Sequence, residues 1–314
     1  MTRIYWVIFA GALLPYESGI GVVLAILGAD TAAVGAAACF AEQNLKRLLA
    51  FSVIGHVGIM LLGVALWKPG ALAGVELYGL EQAVLHGGLF LAAGILLYRT
   101  GSLDERDLHR SGRRTPWLGI LFFLGAAGLA GLPPFATFWG DVLLDGAAAR
   151  LGFAWVAWPA FLTEAVMAAA VVRFGLRVSA GWGAPPVHDR PAPRGHAHAA
   201  FSMYAPATVL ILLSAVAGLA PRLTGAAESA AIYMEDRAGY GQRVLDLLTR
   251  YSPTVSDVPA TPPDLLRSLA AAVLALLLAW LSLSPQVRRM LPGRLPGAGY
   301  PWIPLHSPFG RRLR

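Results

Sequence analysis

Long apolar stretches separated by short polar loops make up most of the chain. Most of these stretches approach the roughly 20 residues that an α-helix needs to cross a bilayer, and they are apolar on all sides. The pattern therefore predicts an all-α polytopic bundle of about eight transmembrane segments. The segments cover residues 4–15, 18–39, 48–66, 72–98, 116–147, 152–176, 202–220 and 268–284.

Two of these segments depart from a simple span. Segment 4–15 is short for a bilayer crossing. Segment 116–147 is long and carries the pair Pro133-Pro134 near its middle. Adjacent prolines remove backbone donors and clash with the preceding turn, so the sequence predicts one broken helix near Gly131–Thr137. Such breaks occur at membrane depth where the freed backbone groups face protein or a polar cavity.

Composition supports a membrane protein and excludes several other classes. Hydrophobic residues are 56% of the chain and charged residues 14%, against about 25% charged residues in soluble domains. The net charge of +7 arises between the apolar segments, which indicates membrane topology and argues against nucleic-acid binding. The single cysteine, Cys39, offers no disulfide partner and no cysteine-based metal motif. Nucleotide and redox-cofactor motifs are absent, so we expect no cofactor and no active site within the chain.

The basic residues also predict orientation and domain organisation. Lysines and arginines collect in alternate short loops, which predicts a multi-pass protein of the bacterial inner (plasma) membrane with both termini cytoplasmic. Residues 179–201 are expected to form a cytoplasmic loop, whose histidines at 188, 196 and 198 have no acidic or cysteine partners at metal-ligand spacing. Residues 202–314 are expected to add transmembrane helices, a long extracytoplasmic loop at 221–266 and a basic cytoplasmic tail.

Ionisable residues inside predicted spans are the candidate functional groups, because charge at membrane depth is costly. Arg173 lies near a predicted cytoplasmic end and is expected to snorkel towards water. Gln82 is a polar neighbour of His86, one helical turn away. The remaining candidates are Asp30, His56, Glu81, His86, Asp141 and Glu164.

Histidine chemistry makes two of these candidates suited to proton transfer. The unperturbed imidazole pKa of about 6.5 lets His86 and His56 take up and release protons near neutrality. The alternative is that each hydrogen-bonds a neighbouring helix. Asp141 follows the predicted break, where a polar cavity could solvate its carboxylate. Asp30 and Glu164 could instead be neutral and hydrogen-bonded, since burial disfavours a charged carboxylate.

Three motifs, in one order, resemble a known family. Residues 43–52, followed by the histidine of 56–59, resemble the Q-x-D-L-K-R-L-L-A-Y-S motif of the antiporter-like proton-translocating subunits of complex I, membrane-bound hydrogenases and Mrp antiporters. Residues 81–94 are similar to that family's N-H-A-L-F-K-x-x-L-F-L-x-x-G. Residues 130–135, with the ionisable residue of 139–141, resemble its L-P-P turn.

The resemblance covers about residues 1–178 and implies a central polar axis on broken helices within two inverted five-helix units. It implies that His56 matches a family histidine and that Asp141 is the axis residue after the break. Arg3 lies where an axis lysine is usual. Two positions depart from the family, because His86 replaces a common lysine and Gln82 a common histidine. The motif and structural residues are Lys46, Arg47, Pro133 and Pro134.

The resemblance also predicts what the chain does. It corresponds to the second half of such a subunit, so we expect an N-terminally truncated product, a misplaced start codon or a half-subunit completed by a partner. The leading hypothesis is a membrane subunit of a proton-translocating NADH:quinone oxidoreductase, hydrogenase-type or Mrp-type complex. The alternatives are a non-conducting structural or assembly subunit, a non-functional gene fragment, and an independent solute transporter. The expected partners are other membrane subunits and the lipid bilayer, not nucleic acid; the residues leave H⁺ or Na⁺ open.

Overall fold

The computed structural model describes residues 17–66, 68–105, 107–108, 116–182, 201–220, 225–226, 229 and 260–284. Over these residues the protein is all-α, with eight α-helices and no β-strand. The helices are α1 (Glu17–Ala41), α2 (Leu45–Ala65), α3 (Pro69–Thr100), α4 (Pro116–Leu129), α5 (Ala136–Arg150), α6 (Ala157–Gly175), α7 (Phe201–Ala217) and α8 (Pro262–Leu283). A 3₁₀ turn, Ala154–Val156, precedes α6, and a π-helical turn, Leu176–Ala180, follows it.

The predicted helical bundle is confirmed. Five stretches are long and apolar enough to cross a membrane, and they belong to α1, α2, α3, α6 and α8. Helix α3 packs against α5 and α7, whereas α6 packs against α1, α4 and α8. The protein is therefore a multi-pass membrane protein. Arg3, segment 4–15, the histidines at 188, 196 and 198 and the chain after 284 lie outside the described residues.

The predicted break in segment 116–147 is also confirmed. Helix α4 ends at Leu129, Gly131 has φ of +65°, and α5 begins at Ala136. Thr137 Oγ1 donates to the Gly128 carbonyl oxygen at 2.8 Å, and the same oxygen accepts from the Gly131 backbone N–H at 3.2 Å, so this carbonyl stays paired at the break. The break also touches α7, because Trp139 Nε1 donates to the Gly218 carbonyl oxygen at 2.7 Å.

Small residues let α1 and α2 lie against each other at backbone contact. A Cβ atom added to Gly58 would collide with the backbone of Ala32, and one added to Gly35 would collide with the backbone of Gly55. Close approach through small residues is a common way for helices to associate in lipid, where the hydrophobic effect gives no preference for helix contact.

The structure corrects the prediction that Arg173 snorkels to water. Its side chain is buried, and Nε donates to Glu105 Oε2 at 3.2 Å. The other guanidinium nitrogens donate to the Phe40 carbonyl oxygen at 2.6 Å and the Glu42 carbonyl oxygen at 2.8 Å. Arg177 Nη1 lies 3.3 Å from the second oxygen of Glu105. A buried carboxylate and two carbonyls therefore take the place of water, and they tie the loop before α2 to the end of α6.

Helix α8 begins six residues earlier than the predicted segment 268–284. Asp264 closes a capping box, since its carboxylate accepts hydrogen bonds from the Thr261 backbone N–H at 2.8 Å and hydroxyl at 2.6 Å. Pro262 occupies the first turn, where a missing N–H has no cost. The earlier start places Arg267 inside the helix.

Candidate functional site: a buried polar axis

Most of the predicted site residues are buried. Asp30 is different, because it lies on the exposed face of α1 and the structure does not bring it to the others. Lys46 and Arg47 are exposed in the first turn of α2. The buried set comes from α2, α3, α5 and α6 and is no more than 7% exposed at any member: His56, Glu81, Gln82, His86, Asp141 and Glu164.

The centre of the set is a hydrogen bond between α2 and α3. His86 Nε2 and Ser52 Oγ are 2.7 Å apart, and both residues are buried. Ser52 Oγ also lies 2.8 Å from the Leu49 carbonyl oxygen, and His86 Nδ1 lies 3.1 Å from the Gln82 carbonyl oxygen. The two carbonyl oxygens can only accept hydrogen bonds, so every donated proton in this group comes from the Ser52 hydroxyl or from the imidazole ring.

This geometry suits both protonation states of His86. When the ring is neutral, Nδ1–H donates to Gln82 and the Ser52 hydroxyl donates to Nε2. When the ring is charged, both ring nitrogens donate and the hydroxyl turns to the Leu49 carbonyl. No buried group loses its partner in either state, so the protonation change does not carry the usual cost of an unpaired polar atom.

His56 is the next titratable group. Its Nδ1 donates to the Ser52 carbonyl oxygen at 2.7 Å, which fixes the neutral ring with Nε2 as acceptor. Nε2 has no hydrogen-bond partner among the described residues. The His56 ring centroid lies 5.4 Å from that of His86 and 5.6 Å from that of Tyr78. His56 therefore stands between the Ser52–His86 pair and the acidic residues beyond Tyr78.

Acidic residues continue the axis beyond Tyr78. The Tyr78 hydroxyl donates to Glu164 Oε1, which links α3 to α6. The backbone of Gly131 brings Asp141 close to Glu164, since a Cβ atom on Gly131 would lie 2.6 Å from Asp141 Oδ2 and 3.7 Å from Glu164 Oε2. The break therefore places the first turns of α5 against the middle of α6.

Two charged residues outside the predicted set, Arg267 and Asp145, complete this end. Arg267 on α8 donates through Nη1 to Asp145 Oδ2, and its Nη2 lies 3.7 Å from Glu164 Oε2. A cavity of about 10 Å³ is lined by side chains that include Asp141, Glu164 and Asp264, and this volume is near the smallest that holds a water molecule.

A second polar contact branches from the axis towards α7. The Ser214 hydroxyl donates to Glu81 Oε1, and both residues are buried. Glu81 precedes Gln82, whose amide atoms have no hydrogen-bond partner within the described part of the chain. Ser214 was not predicted, because a serine in an apolar segment is a common neutral residue with no distinctive spacing.

The site residues that were not predicted differ in how clearly the sequence indicates them. Tyr78 and Asp145 lie in segments predicted to span, so both could have been selected as polar groups at membrane depth. Arg267 lies one residue before the predicted segment 268–284, and only the Thr261–Asp264 capping pair indicates that the helix starts earlier. Among the described residues, no group of three or more histidine, cysteine or acidic side chains is arranged to hold a metal ion.

These features define a class. Within the described residues, a membrane bundle with a broken helix holds a buried row of histidine, tyrosine and carboxylate side chains. Residues 3–168, more than half of the chain, match the family described as NADH:quinone oxidoreductase/Mrp antiporter, transmembrane. The chain belongs to this family, as the three motifs predicted.

Individual relatives agree with the family. The chain is 29% identical over 196 residues to a Na⁺/H⁺ antiporter subunit of Bacillus subtilis, and this match covers 62% of the chain and 38% of the relative. It is 34% identical over 199 residues to an NADH-quinone oxidoreductase subunit of Roseiflexus castenholzii, covering 60% and 39%. The chain thus spans less than half the length of these relatives.

The fold is shared with a solved structure. The Mrp complex from Dietzia sp. DQ12-45-1b contains a chain that aligns with a TM-score of 0.64 and 24% identity, over 78% of this chain and 52% of that one. The relatives are subunits of multi-subunit membrane assemblies. The family match ends at residue 168, so α7 and α8, with Ser214 and Arg267, lie beyond it.

Proposed function

We propose that the chain is a proton-translocating membrane subunit of an NADH:quinone oxidoreductase-type or Mrp-type complex. The observation that carries this proposal is the buried Ser52–His86 hydrogen bond, because it keeps all its partners in both protonation states of the imidazole. A structural histidine needs only one of those states. The second acceptor of the Ser52 hydroxyl, the Leu49 carbonyl, is what permits the exchange.

Protons would pass from the Ser52–His86 pair to His56 Nε2 and then to the acidic residues. The two imidazole rings are in edge-to-face contact, with centroids 5.4 Å apart, so His56 is the nearest titratable neighbour to receive a proton from the Ser52–His86 pair. Tyr78 then connects the His56 side to Glu164 through its hydroxyl, and Asp141 lies next to Glu164. Each transfer changes the charge near the next group and so changes that group's affinity for a proton.

The same proposal includes orientation and partners. Residues 1–178 would form the antiporter-like part of the subunit in a bacterial inner membrane. The end of the bundle where Arg173 and Arg177 meet Glu105 also carries Lys46 and Arg47, so this basic end would face the cytoplasm. Other membrane subunits would complete the path.

The test is Asp141→Asn in the full complex of the native host. Inverted membrane vesicles are energised with the respiratory substrate, and proton uptake is followed with a pH-sensitive dye. We expect uptake to fall at least about tenfold, since a positioned acid–base group contributes about 10²–10⁴-fold, with subunit assembly unchanged. Asp107→Asn is the matched control, because Asp107 pairs with Ser102 in the loop after α3, away from the axis. Unchanged uptake in assembled D141N complex would instead support a non-conducting structural subunit.

A further inference from the structure

Arg267 brings a fixed positive charge into the acidic end of the axis from a helix beyond the family match. Its guanidinium donates to Asp145 and lies 3.7 Å from Glu164 through Nη2. The side chain is 18% exposed, and those of Asp145 and Glu164 are 15% and 2% exposed. One cation is therefore shared by carboxylates from two different helices.

Arginine cannot act as a proton carrier under ordinary conditions, because its guanidinium stays protonated. Its effect on neighbours is electrostatic, since a nearby positive charge favours the ionised form of a carboxylate. Removing one member of a buried ion pair leaves an uncompensated charge, and a carboxylate then takes up a proton to become neutral. Arg267 thus controls how readily its neighbours hold a proton.

Arg267 and its carboxylate partners lie towards one end of the bundle, so the charge of Arg267 acts at that end of the axis. Arg267 lies five residues after the start of α8, and Asp145 lies five residues before the end of α5, so each is about 7.5 Å from the end of its helix. That end of the bundle also carries Arg150 and Lys68. His86 lies near the middle of α3, 17 residues from Pro69. The histidines therefore lie at the centre of the axis, and the carboxylates of Asp141, Asp145 and Glu164 lie on the side towards this end.

We propose that Arg267 is a positioning residue whose fixed positive charge stabilises the carboxylates of Asp145 and Glu164 and so makes this acidic end the outlet where protons leave the axis. The role of this end as an outlet rests on the proposed proton-translocating function. The titratable and charged groups that face Arg267 are Tyr78 from α3, Asp141 and Asp145 from α5, Glu164 from α6 and Asp264 from its own helix.

Dicyclohexylcarbodiimide, which reacts with protonated carboxyl groups in apolar surroundings, tests the electrostatic role without any measurement of transport. Native membranes are labelled at neutral pH, and adducts on Asp145 and Glu164 are quantified by peptide mass spectrometry. We expect labelling to rise about tenfold in Arg267→Gln, because the neutral glutamine no longer favours the ionised carboxylates over their protonated, reactive forms. Arg267→Lys keeps the charge and should stay near the natural protein. Arg150→Gln, an exposed arginine at the same end, is the matched control.

A second variant covers the case in which Arg267→Gln does not assemble. Arg267→Gln combined with Asp145→Asn removes one charge of each sign, and Glu164 should then be labelled strongly because it has lost its cation. Labelling of Glu164 no greater than in Arg150→Gln would overturn the proposal.

Measurements of proton uptake separate the role of Arg267 from the proposed function of the chain. In vesicles, the proton-uptake profile of Arg267→Gln should move to higher pH, because the outlet then releases its proton only at lower proton concentration, whereas Arg267→Lys should keep the natural profile. Increased labelling with uptake that Asp141→Asn leaves unchanged would refute proton conduction alone. Uptake that depends on Asp141, with labelling and pH profile unaffected in Arg267→Gln, would refute the role of Arg267 alone.

Discussion

Ser52 Oγ and His86 Nε2 are 2.7 Å apart between α2 and α3, and the Ser52 carbonyl oxygen accepts from His56 Nδ1 at 2.7 Å. One residue therefore contacts both histidines, through its hydroxyl on one side and its backbone on the other. The hydroxyl can donate to His86 or to the Leu49 carbonyl. This makes Ser52 the residue whose loss should separate proton transfer from folding.

Ser52→Ala should lower proton uptake about tenfold or more, because charged His86 keeps its partners only when a hydroxyl accepts from Nε2. Vesicle uptake measured at equal subunit content checks this. Ser282→Ala is the control, since the Ser282 hydroxyl also donates to a carbonyl three residues earlier but is not bonded to a histidine. Equal uptake in the two variants would show that the hydroxyl carries no proton step.

Gly131→Ala should impair both folding and transport. Gly131 has φ of +65°, where an L-residue costs about 1–2 kcal/mol, and a Cβ atom there would lie 2.6 Å from Asp141 Oδ2. We expect a lower thermal midpoint in detergent and reduced proton uptake. Gly146→Ala is the matched control on α5, because a Cβ atom at Gly146 meets nothing within 4 Å. A midpoint as high as that of the control would show that the break tolerates a side chain at Gly131.

Arg173→Ala should destabilise the protein by about 3–5 kcal/mol, since it leaves Glu105 buried with a weakened counter-charge and two carbonyls without donors. Thermal unfolding in detergent and the yield of assembled protein measure this. Arg47→Gln is the contrast, because Arg47 pairs with Glu42 at 3.2 Å but its side chain is half exposed, and such pairs contribute about 0–1 kcal/mol. Similar losses in both variants would mean that the buried network is not what holds the loop.

Gly58→Val should disrupt the contact between α1 and α2, because a side chain at Gly58 meets the backbone of Ala32. Overpacking of this kind costs about 1–3 kcal/mol or more, and backbone atoms cannot turn aside as side chains do. We expect a lower thermal midpoint and less assembled subunit. Gly19→Val is the control on α1, since a Cβ atom there meets nothing within 4 Å. Assembly equal to that control would argue against tight packing at this interface.

Asp30→Asn should leave proton uptake within about twofold of the natural level, because Asp30 lies on the exposed face of α1 and not on the axis. The same vesicle assay used for Asp141 measures this. A loss comparable to that of Asp141→Asn would place Asp30 on the proton path, as predicted from the sequence.

Hydrophobic length and the proline pair predicted most of the fold. The break between Leu129 and Ala136 follows from two prolines that no continuous helix can hold at its centre. Helix ends were less predictable. Helix α8 begins at Pro262 because of a capping box, and hydropathy alone does not detect a cap.

The candidate site was predictable in its residue types but not in its contacts. Asp30 and Glu164 have similar sequence surroundings, yet Asp30 lies on the exposed face of α1 and Glu164 is buried beside Tyr78. Uniformly apolar helices hide which face is buried, because side-chain periodicity is weak when nearly every position is hydrophobic. Arg173 was misjudged for a related reason, since its partner Glu105 is 68 residues away in the sequence.

The helix break has a consequence for how this chain can be divided. Trp139 in α5 is bound to Gly218 after α7, and Asp145 in α5 is bound to Arg267 in α8. Two segments outside residues 3–168, the range that matches the family, thus contact the most irregular part of that range. A chain cut after residue 178 would leave the Trp139 indole without its carbonyl acceptor and Asp145 without the cation that balances its charge. The smallest part of this protein that keeps these contacts is therefore longer than residues 3–168, which match the family.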